Sequence, residues 1–183
     1  MDKPMSDVHF KFMSFGFRLR DFFLSPKSIL KEAGIKPGFH VLDYGCGPGS
    51  YSIVSAGLVG TTGKVYALDI HPLAIQRVQN IASKKRLANI EAICSDCATG
   101  LPDNSVDVVL LYDTFHELSD PDGVLKELAR VLKPESTLSF SDHHMKKREV
   151  ISKVTHQGLF RLSRKGKRTY SFLKLDEERA GSV

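Results

Sequence analysis

Residues 41–51 read Val-Leu-Asp-Tyr-Gly-Cys-Gly-Pro-Gly-Ser-Tyr, and this stretch decides the fold. An apolar pair runs into a turn that contains three glycines, and a helical pattern follows from Ser50. Glycines let the backbone turn tightly and let a ligand approach it closely. The stretch therefore predicts a strand, a nucleotide-binding loop and a helix, in that order.

The acid two residues before the first glycine restricts the class of ligand that the loop could bind. Asp43 would repel the pyrophosphate of a dinucleotide, whereas it suits a ligand that carries an ammonium group. S-adenosylmethionine has such an ammonium on its amino-acid tail and has no phosphate. The Asp-x-Gly-x-Gly-x-Gly spacing also differs from the Gly-x-Gly-x-x-Gly spacing of NAD-binding folds. We therefore expect S-adenosylmethionine as cofactor, with S-adenosylhomocysteine as its product.

Length and composition are those of one soluble globular domain. The chain has 183 residues, of which 42% are hydrophobic and 26% are charged. These values allow a sizeable core. Its apolar runs fall short of the ~20 residues of a membrane span, and the first residues lack the apolar core of a signal peptide. Three cysteines are too few for a disulfide framework, so we expect a cytoplasmic protein.

The positive charge is concentrated near the C-terminus. Residues 145–174 carry ten Lys or Arg side chains against the single acid Glu149, whereas residues 1–144 carry 15 basic and 17 acidic residues. A basic surface can attract RNA or anionic lipid. The interpretation that we favour is a solvated helix face together with a charged sheet edge that resists aggregation.

Strand and helix patterns alternate along the chain. This alternation predicts a doubly wound parallel sheet with helices on both faces, closed by a hairpin that supplies one antiparallel strand. We expect an N-terminal helical cap over residues 1–36, the main domain over 37–176 and a disordered tail over 177–183. Strands are predicted at 40–44, 63–69, 90–95, 106–112, 137–141, 159–163 and 169–175, and helices at 50–58, 72–86, 121–132 and 145–156.

Four acids lie at the ends of successive predicted strands: Asp43 and Asp69 are in the first two strands, and Asp96 and Asp113 follow the third and fourth. Ligands of an open α/β sheet bind beyond the carboxyl ends of its strands. Asp69 lies 24 residues after Gly45, which predicts hydrogen bonds to the two ribose hydroxyls, and Asp96 can accept a bond from the adenine amino group. Each acid alone could instead be a helix N-cap.

From about residue 25 to 175 the chain resembles class I S-adenosylmethionine-dependent methyltransferases. The resemblance rests on residues 41–49 (motif I), on Asp69, on Asp96 with Cys97, and on the runs 101–109 and 131–134, although Glu135 and Ser136 replace the usual Gly pair. It implies a Rossmann-like, seven-stranded, mostly parallel sheet. It also implies a set of cofactor-binding residues, namely Asp43, Gly45, Cys46, Gly47, Gly49, Asp69, Ile70, Asp96, Cys97 and Tyr112.

A narrower likeness concerns the methyl acceptor. Residues 12–16 and 59–65 are similar to the C-methyltransferases of ubiquinone and menaquinone synthesis, which implies a small aromatic or quinone-like acceptor. Residues 10–23 contain six of the eleven Phe. They could fold over the site as an apolar lid, or they could pack a leading helix onto the sheet.

Three histidines are candidates for catalysis. His116 follows the fourth predicted strand, and His143 and His144 follow the fifth, so the three rings could converge on one pocket. They could act as a base, hold a metal together with neighbouring acids, or be solvated loop residues. Cys94 and Cys97 form a Cys-x-x-Cys with no second pair, so we predict no metal site.

Three classes of function remain open. We favour a methyltransferase that acts on a small molecule. An RNA methyltransferase that uses the basic C-terminal element is the alternative, although residues 112–115, Tyr-Asp-Thr-Phe, lack the Asn/Asp-Pro-Pro-Tyr/Phe motif of many such enzymes. The third possibility is a protein that binds S-adenosylmethionine without turnover. The sequence leaves the oligomeric state open.

Overall fold

The computed structural model describes residues 26–175. The predicted Phe-rich lid over residues 10–23 and the predicted tail over 177–183 lie outside the described residues. The proposed boundary between a cap and a main domain at residue 36 stays a prediction.

Five helices, one 3-10 turn and seven strands make up the described residues. The helices are α1 (Pro26–Ala33), α2 (Ser50–Val59), α3 (Pro72–Lys85), α4 (Pro121–Val131) and α5 (Lys147–Thr155), and the 3-10 turn is Phe115–Glu117. The strands are β1 (His40–Tyr44), β2 (Lys64–Asp69), β3 (Ile90–Cys94), β4 (Val106–Tyr112), β5 (Leu132–Ser141), β6 (Phe160–Lys165) and β7 (Tyr170–Lys174). None of the helices in this part of the chain is long and apolar enough to cross a membrane.

The strands form one sheet in the order β3-β2-β1-β4-β5-β7-β6. Strands β1 to β5 pair in parallel, and β7 pairs antiparallel with both β5 and β6. The predicted fold class, including the single antiparallel strand of the hairpin, is confirmed. Strand β4 is apolar almost throughout because α/β sheets are covered on both faces, and six of its seven residues are buried.

Local sequence fixes where the helices begin. Helix α4 has Pro121 in its first turn, and the Asp120 side chain accepts a hydrogen bond from the Gly123 N–H, which caps the helix. Its apolar side chains recur at helical spacing and pack into the main core, which contains Val124, Leu125 and Leu128. A second cluster covers the other face of the sheet under α1 and α2.

Strand β5 begins five residues earlier than predicted. It follows α4 directly at Leu132, and its pairing with β4 shifts register between Val106 and Val108. Glu135 lies in this irregular stretch with a φ of +57°, a region that favours glycine. Its carboxylate accepts a hydrogen bond from Arg161 at 2.8 Å. The loss of the usual Gly pair therefore places a strained residue inside the strand rather than a turn before it.

Glu32 fastens α1 to the C-terminal hairpin. Its Oε2 accepts hydrogen bonds from the Thr169 N–H at 3.0 Å, the Thr169 hydroxyl at 2.8 Å and the Arg168 N–H at 3.2 Å. Burial raises the pKa of Glu32, but these hydrogen bonds outweigh it and the pKa is lowered overall. The side chain of Arg164 also donates to the Glu32 carbonyl. Contacts 132 residues or more apart in sequence therefore join the two ends of the described chain.

We predict that Glu32→Ala destabilises the protein by about 1–3 kcal/mol, because it leaves the donors of the buried Thr169 without their acceptor. Urea unfolding measures this loss. Lys31→Ala, an exposed change on the same helix, is the matched control and should change the free energy of unfolding by less than about 0.5 kcal/mol. Equal stability of the two variants would contradict the assignment.

Candidate active site

The glycine loop between β1 and α2 has a backbone that favours glycine. Gly45, Gly47 and Gly49 have φ values of +73°, +51° and +88°, where side chains are strained. The N–H groups of Gly45 and Cys46 both donate to the carbonyl of Leu68 at 2.9 Å. The loop is therefore fixed to the end of β2.

Two of these glycines also lie against neighbouring side chains. A Cβ at Gly45 would overlap the side chain of Thr114, which follows β4, and a Cβ at Gly49 would lie 2.7 Å from Cγ2 of Val78 in α3. The loop is thus packed between the end of β4 and helix α3. These close approaches bring the segment after β4 next to the glycine loop.

Asp69 joins the glycine loop to the loop after β2. Its Oδ2 accepts the Gly47 N–H at 2.8 Å, and its Oδ1 accepts the His71 N–H at 2.8 Å. Burial raises the pKa of Asp69, and these hydrogen bonds oppose that rise. Each carboxylate oxygen has a second lone pair, so the group can still accept bonds from ligand hydroxyls.

Asp43 is buried beneath the loop. Its carboxylate accepts a short hydrogen bond of 2.5 Å from the hydroxyl of Ser52 in α2. Burial raises the pKa of Asp43 to about 7 against that hydrogen bond, and the charge of Asp69 adds to the rise. The residue is 2% exposed. The predicted contact with a ligand ammonium would require this carboxylate to be ionised within the core.

The predicted adenine contacts lie after β3. The Tyr44 hydroxyl donates to the carbonyl of Asp96 at 2.8 Å, which ties this loop to β1. Cys97 is half-buried and packs against the main core. The exposed thiol of Cys94 lies 3.7 Å from the carbonyl of Ile70. Ile70 and Asp96 therefore lie in the loops that follow β2 and β3.

Two candidate residues lie inside the protein. The Tyr112 side chain is buried, shares a hydrogen bond of 2.7 Å with Ser139 and meets Tyr51 edge to face at 4.9 Å. The Cys46 thiol is buried too, and burial raises its pKa well above the usual value, with the charges of Asp43 and Asp69 adding to it. Their cofactor contacts remain predictions.

The three histidines come together beyond β4 and β5. The ring of His144 lies between the others, with centroids 4.2 Å from His116 and 3.9 Å from His143. His116 Nδ1 lies 2.9 Å from Oδ2 of the buried Asp142, and His143 Nδ1 lies 2.8 Å from Oδ1 of Asp113. The stack therefore stands between two carboxylates.

The sequence pattern does not single out Asp142, yet this residue holds His116 directly. Its signal in the sequence is its position just past β5, the strand that neighbours β4, since His116 lies in the 3-10 turn shortly after β4. Across residues 26–175 we find no group of three or more His, Cys, Asp or Glu arranged to hold a metal ion.

The basic residues of the C-terminal element divide between the start of helix α5 and the hairpin. Lys146, Lys147 and Arg148 closely follow the candidate residue His144. Five consecutive residues, 161–165, are exposed on the edge strand β6. Four strand spacings separate β6 from β1 in the sheet order, which is roughly 19 Å at about 4.8 Å each. The basic side chains of β6 and the glycine loop are therefore distinct surfaces.

A comparison with known protein families identifies the family of this chain. Residues 35–174 match the family model described as a methyltransferase domain. The chain belongs to this family.

Individual relatives agree with that membership. The chain is 28% identical over 153 residues to the ubiquinone/menaquinone biosynthesis C-methyltransferase UbiE of Pseudoalteromonas translucida, a match that covers 81% of this chain and 58% of the relative. It is 32% identical over 106 residues to a demethylmenaquinone methyltransferase of a Geobacillus species, covering 57% of this chain and 45% of the relative. The chain thus spans about half the length of the curated relatives it matches.

A solved structure matches over almost its whole length. The crystal structure of a SAM-dependent methyltransferase from Aquifex aeolicus superimposes with a TM-score of 0.78 at 30% identity, covering 93% of this chain and 98% of that one. A second structure, from Methanococcus maripaludis, has a TM-score of 0.77 at 15% identity over 97% of this chain and 98% of that one, which is a likeness of fold alone.

The buried carboxyl of Asp43 makes a pH-dependent prediction. Its pKa is raised from 3.8 to about 7, so between these values the folded protein binds more protons than the unfolded chain, and the contribution of Asp43 to stability falls as pH rises. Asp43→Asn cannot ionise. The free energy of unfolding of Asp43→Asn, relative to that of wild type, should therefore be about 2–3 kcal/mol higher at pH 8 than at pH 5. This follows because one pKa unit corresponds to about 1.4 kcal/mol.

Urea unfolding across this pH range tests the prediction. Glu91→Gln, at an exposed carboxylate paired with Lys64, is the control and should run parallel to wild type. Parallel profiles for Asp43→Asn and wild type would mean that Asp43 titrates normally.

A second prediction concerns the loop backbone. Gly45→Ala adds a methyl group against Thr114 at a positive φ, a conformation that costs about 1–3 kcal/mol. Cofactor affinity should fall by about tenfold or more. Gly57→Ala in α2 is the matched control, because a Cβ there has nothing within 4 Å. Calorimetric titration with S-adenosylmethionine compares them, and equal affinities would contradict the role of the loop.

Proposed function

We propose that this protein is an S-adenosylmethionine-dependent methyltransferase that acts on a small-molecule acceptor of an aromatic or quinone-like kind. The observation that carries the proposal is the glycine loop held by Asp69 at the carboxyl edge of the sheet. The Asp69 carboxylate accepts one hydrogen bond from the loop after β1 and one from the loop after β2. Methyltransferase relatives support the activity.

The residues of the loop fit the cofactor. S-adenosylmethionine is positively charged and lacks phosphate, and the loop offers carboxylates rather than cations beside its glycines. Gly45, Gly47 and Gly49 leave the backbone free of side chains on the approach to the ligand. Asp69 retains acceptor capacity for the ribose hydroxyls, and the loop of Asp96 and Cys97 is the proposed adenine site. When bound, the cofactor supplies a methyl group already activated by its sulfonium.

What the protein must add is orientation. Holding an acceptor in line with an activated methyl group can contribute as much as about 7–11 kcal/mol in favourable intramolecular cases. The packed loop and the ends of β4 and β5 offer a rigid frame for this purpose. The proposed catalytic residues are His116, His143 and His144, because their rings lie together beyond β4 and β5 and the segment that carries His116 also carries Thr114, which lies against Gly45.

The proposed class of methyl acceptor rests on the names of the relatives and on the position of the basic residues. The curated relatives are named for ubiquinone, menaquinone and demethylmenaquinone, and these names support a quinone-like acceptor here. Of the basic residues that could favour RNA, those on the edge strand β6 lie several strands away from the glycine loop. We therefore favour a small acceptor over nucleic acid.

The experiment follows methyl transfer from S-adenosylmethionine to a reduced naphthoquinone by mass spectrometry. Wild type should form the methylated naphthoquinol and S-adenosylhomocysteine in equal amounts. Asp69→Ala should weaken cofactor binding by more than ~1 kcal/mol, because it removes charge-assisted hydrogen bonds. Asp122→Ala is the control for a lost surface carboxylate. Unchanged affinity in Asp69→Ala would refute the site, and cofactor binding without turnover of any acceptor would refute the activity.

A further inference from the structure

We infer that Asp142 is a positioning residue that holds His116 with its Nε2 lone pair toward the acceptor, and that the acceptor therefore carries a weakly acidic hydroxyl whose proton His116 removes. The inference rests on the proposed function and deepens it. It assigns a role to a carboxylate that the cofactor site does not use.

The geometry fixes the tautomer of the imidazole. A carboxylate can only accept hydrogen bonds, so the His116 Nδ1 that lies 2.9 Å from Asp142 Oδ2 carries the proton. In the neutral ring the remaining nitrogen, Nε2, then carries the lone pair. It lies 3.7 Å from Oε1 of Glu117, beyond hydrogen-bond distance, and the side chain of His116 is 25% exposed.

Asp142 is itself held in place. Its side chain is fully buried, and besides the ring it accepts the His116 N–H at 3.1 Å and the His144 N–H at 3.0 Å. Its carbonyl accepts the Met145 N–H at 3.3 Å. A buried carboxylate with three donors has little freedom to move, so it orients the imidazole rather than following it.

The ring is held on its face as well. His144 stacks on His116 with a tilt of 42° between the rings, which limits rotation of the His116 side chain. Thr114, two residues before His116, is the residue that a Cβ at Gly45 would strike. The segment that carries His116 therefore lies against the glycine loop, at the carboxyl edge where the proposed cofactor would bind.

The chemistry follows from this orientation. The proton leaves the hydroxyl of the acceptor while the electron pair of the O–H bond stays on oxygen, and the proton joins the lone pair of His116 Nε2. The imidazolium that forms is stabilised by Asp142 on one side and by Glu117 on the other, and it later releases its proton to water. A neutral imidazole is suited to this step near pH 7. The acceptor is therefore phenol-like, such as a naphthoquinol.

The first test reads the tautomer of His116 by ¹⁵N NMR, without any turnover. Wild type should show the Nδ1–H form, and Asp142→Ala should shift His116 toward the Nε2–H form. The control is Asp122→Ala, which removes the carboxylate from a surface pair with His156 of 3.2 Å and should leave His116 unchanged. An Nε2–H form in wild type would overturn the inference, and this spectrum needs no variant to fold.

The second test measures turnover of a reduced naphthoquinone. His116→Ala should lower kcat by about 10²-fold or more while S-adenosylmethionine still binds, and added imidazole should restore at least about a tenth of the wild-type rate. Asp142→Ala should lower kcat by about tenfold or more, with KM for the acceptor little changed.

These outcomes separate the inference from the proposed function. A wild-type protein that binds the cofactor but methylates no naphthoquinol would overturn both. An active wild type whose His116→Ala variant keeps full turnover, or loses turnover that imidazole does not restore, would overturn this inference alone.

Discussion

The hydrogen bonds that Asp69 accepts from two loops are the constraint on which the site depends. One N–H comes from Gly47 after β1 and the other from His71 after β2. With both oxygens occupied, the carboxylate fixes the distance between the two loops, and the carbonyl of Leu68 holds the glycine loop a second time. The ligand would therefore meet a surface that is already formed, with little ordering cost at binding.

Carboxylates also hold the loops together on the other side of β1, where β4 and β5 end. Parallel strands end at one edge of a sheet, so the residues just after β4 and β5 meet in space although they are about 26 residues apart. There Asp113 holds His143 and Asp142 holds His116, each carboxylate reaching across from the neighbouring strand. Carboxylates after parallel strands thus organise both the cofactor side and the histidine side of the candidate site.

Much of this architecture could be predicted from the sequence. Strand β4 was predicted to the residue because an apolar run of seven residues between turn signals is distinctive, and the glycine spacing located the loop. Strand β5 was predicted too short, because Pro134 and Glu135 look like a turn and their pairing with β4 depends on register across strands. The hydrogen-bond partners of side chains could not be predicted either. The bond between Asp43 and Ser52 and that between Asp142 and His116 depend on where loops fold, which residue order alone does not determine.

The charges on strand β6 have a consequence for the protein at high concentration. One side of this strand pairs with β7, and within residues 26–175 the sheet order ends there, so no strand in this part of the chain pairs with its other side. An open strand of this kind is a template for another chain, and Lys and Arg side chains guard such templates by mutual repulsion. Arg161, Arg164 and Lys165 are exposed on this strand, and of the three Arg161 is paired with Glu135. Salt that screens the remaining positive charge would weaken this repulsion, so edge-to-edge association of the protein should increase with ionic strength.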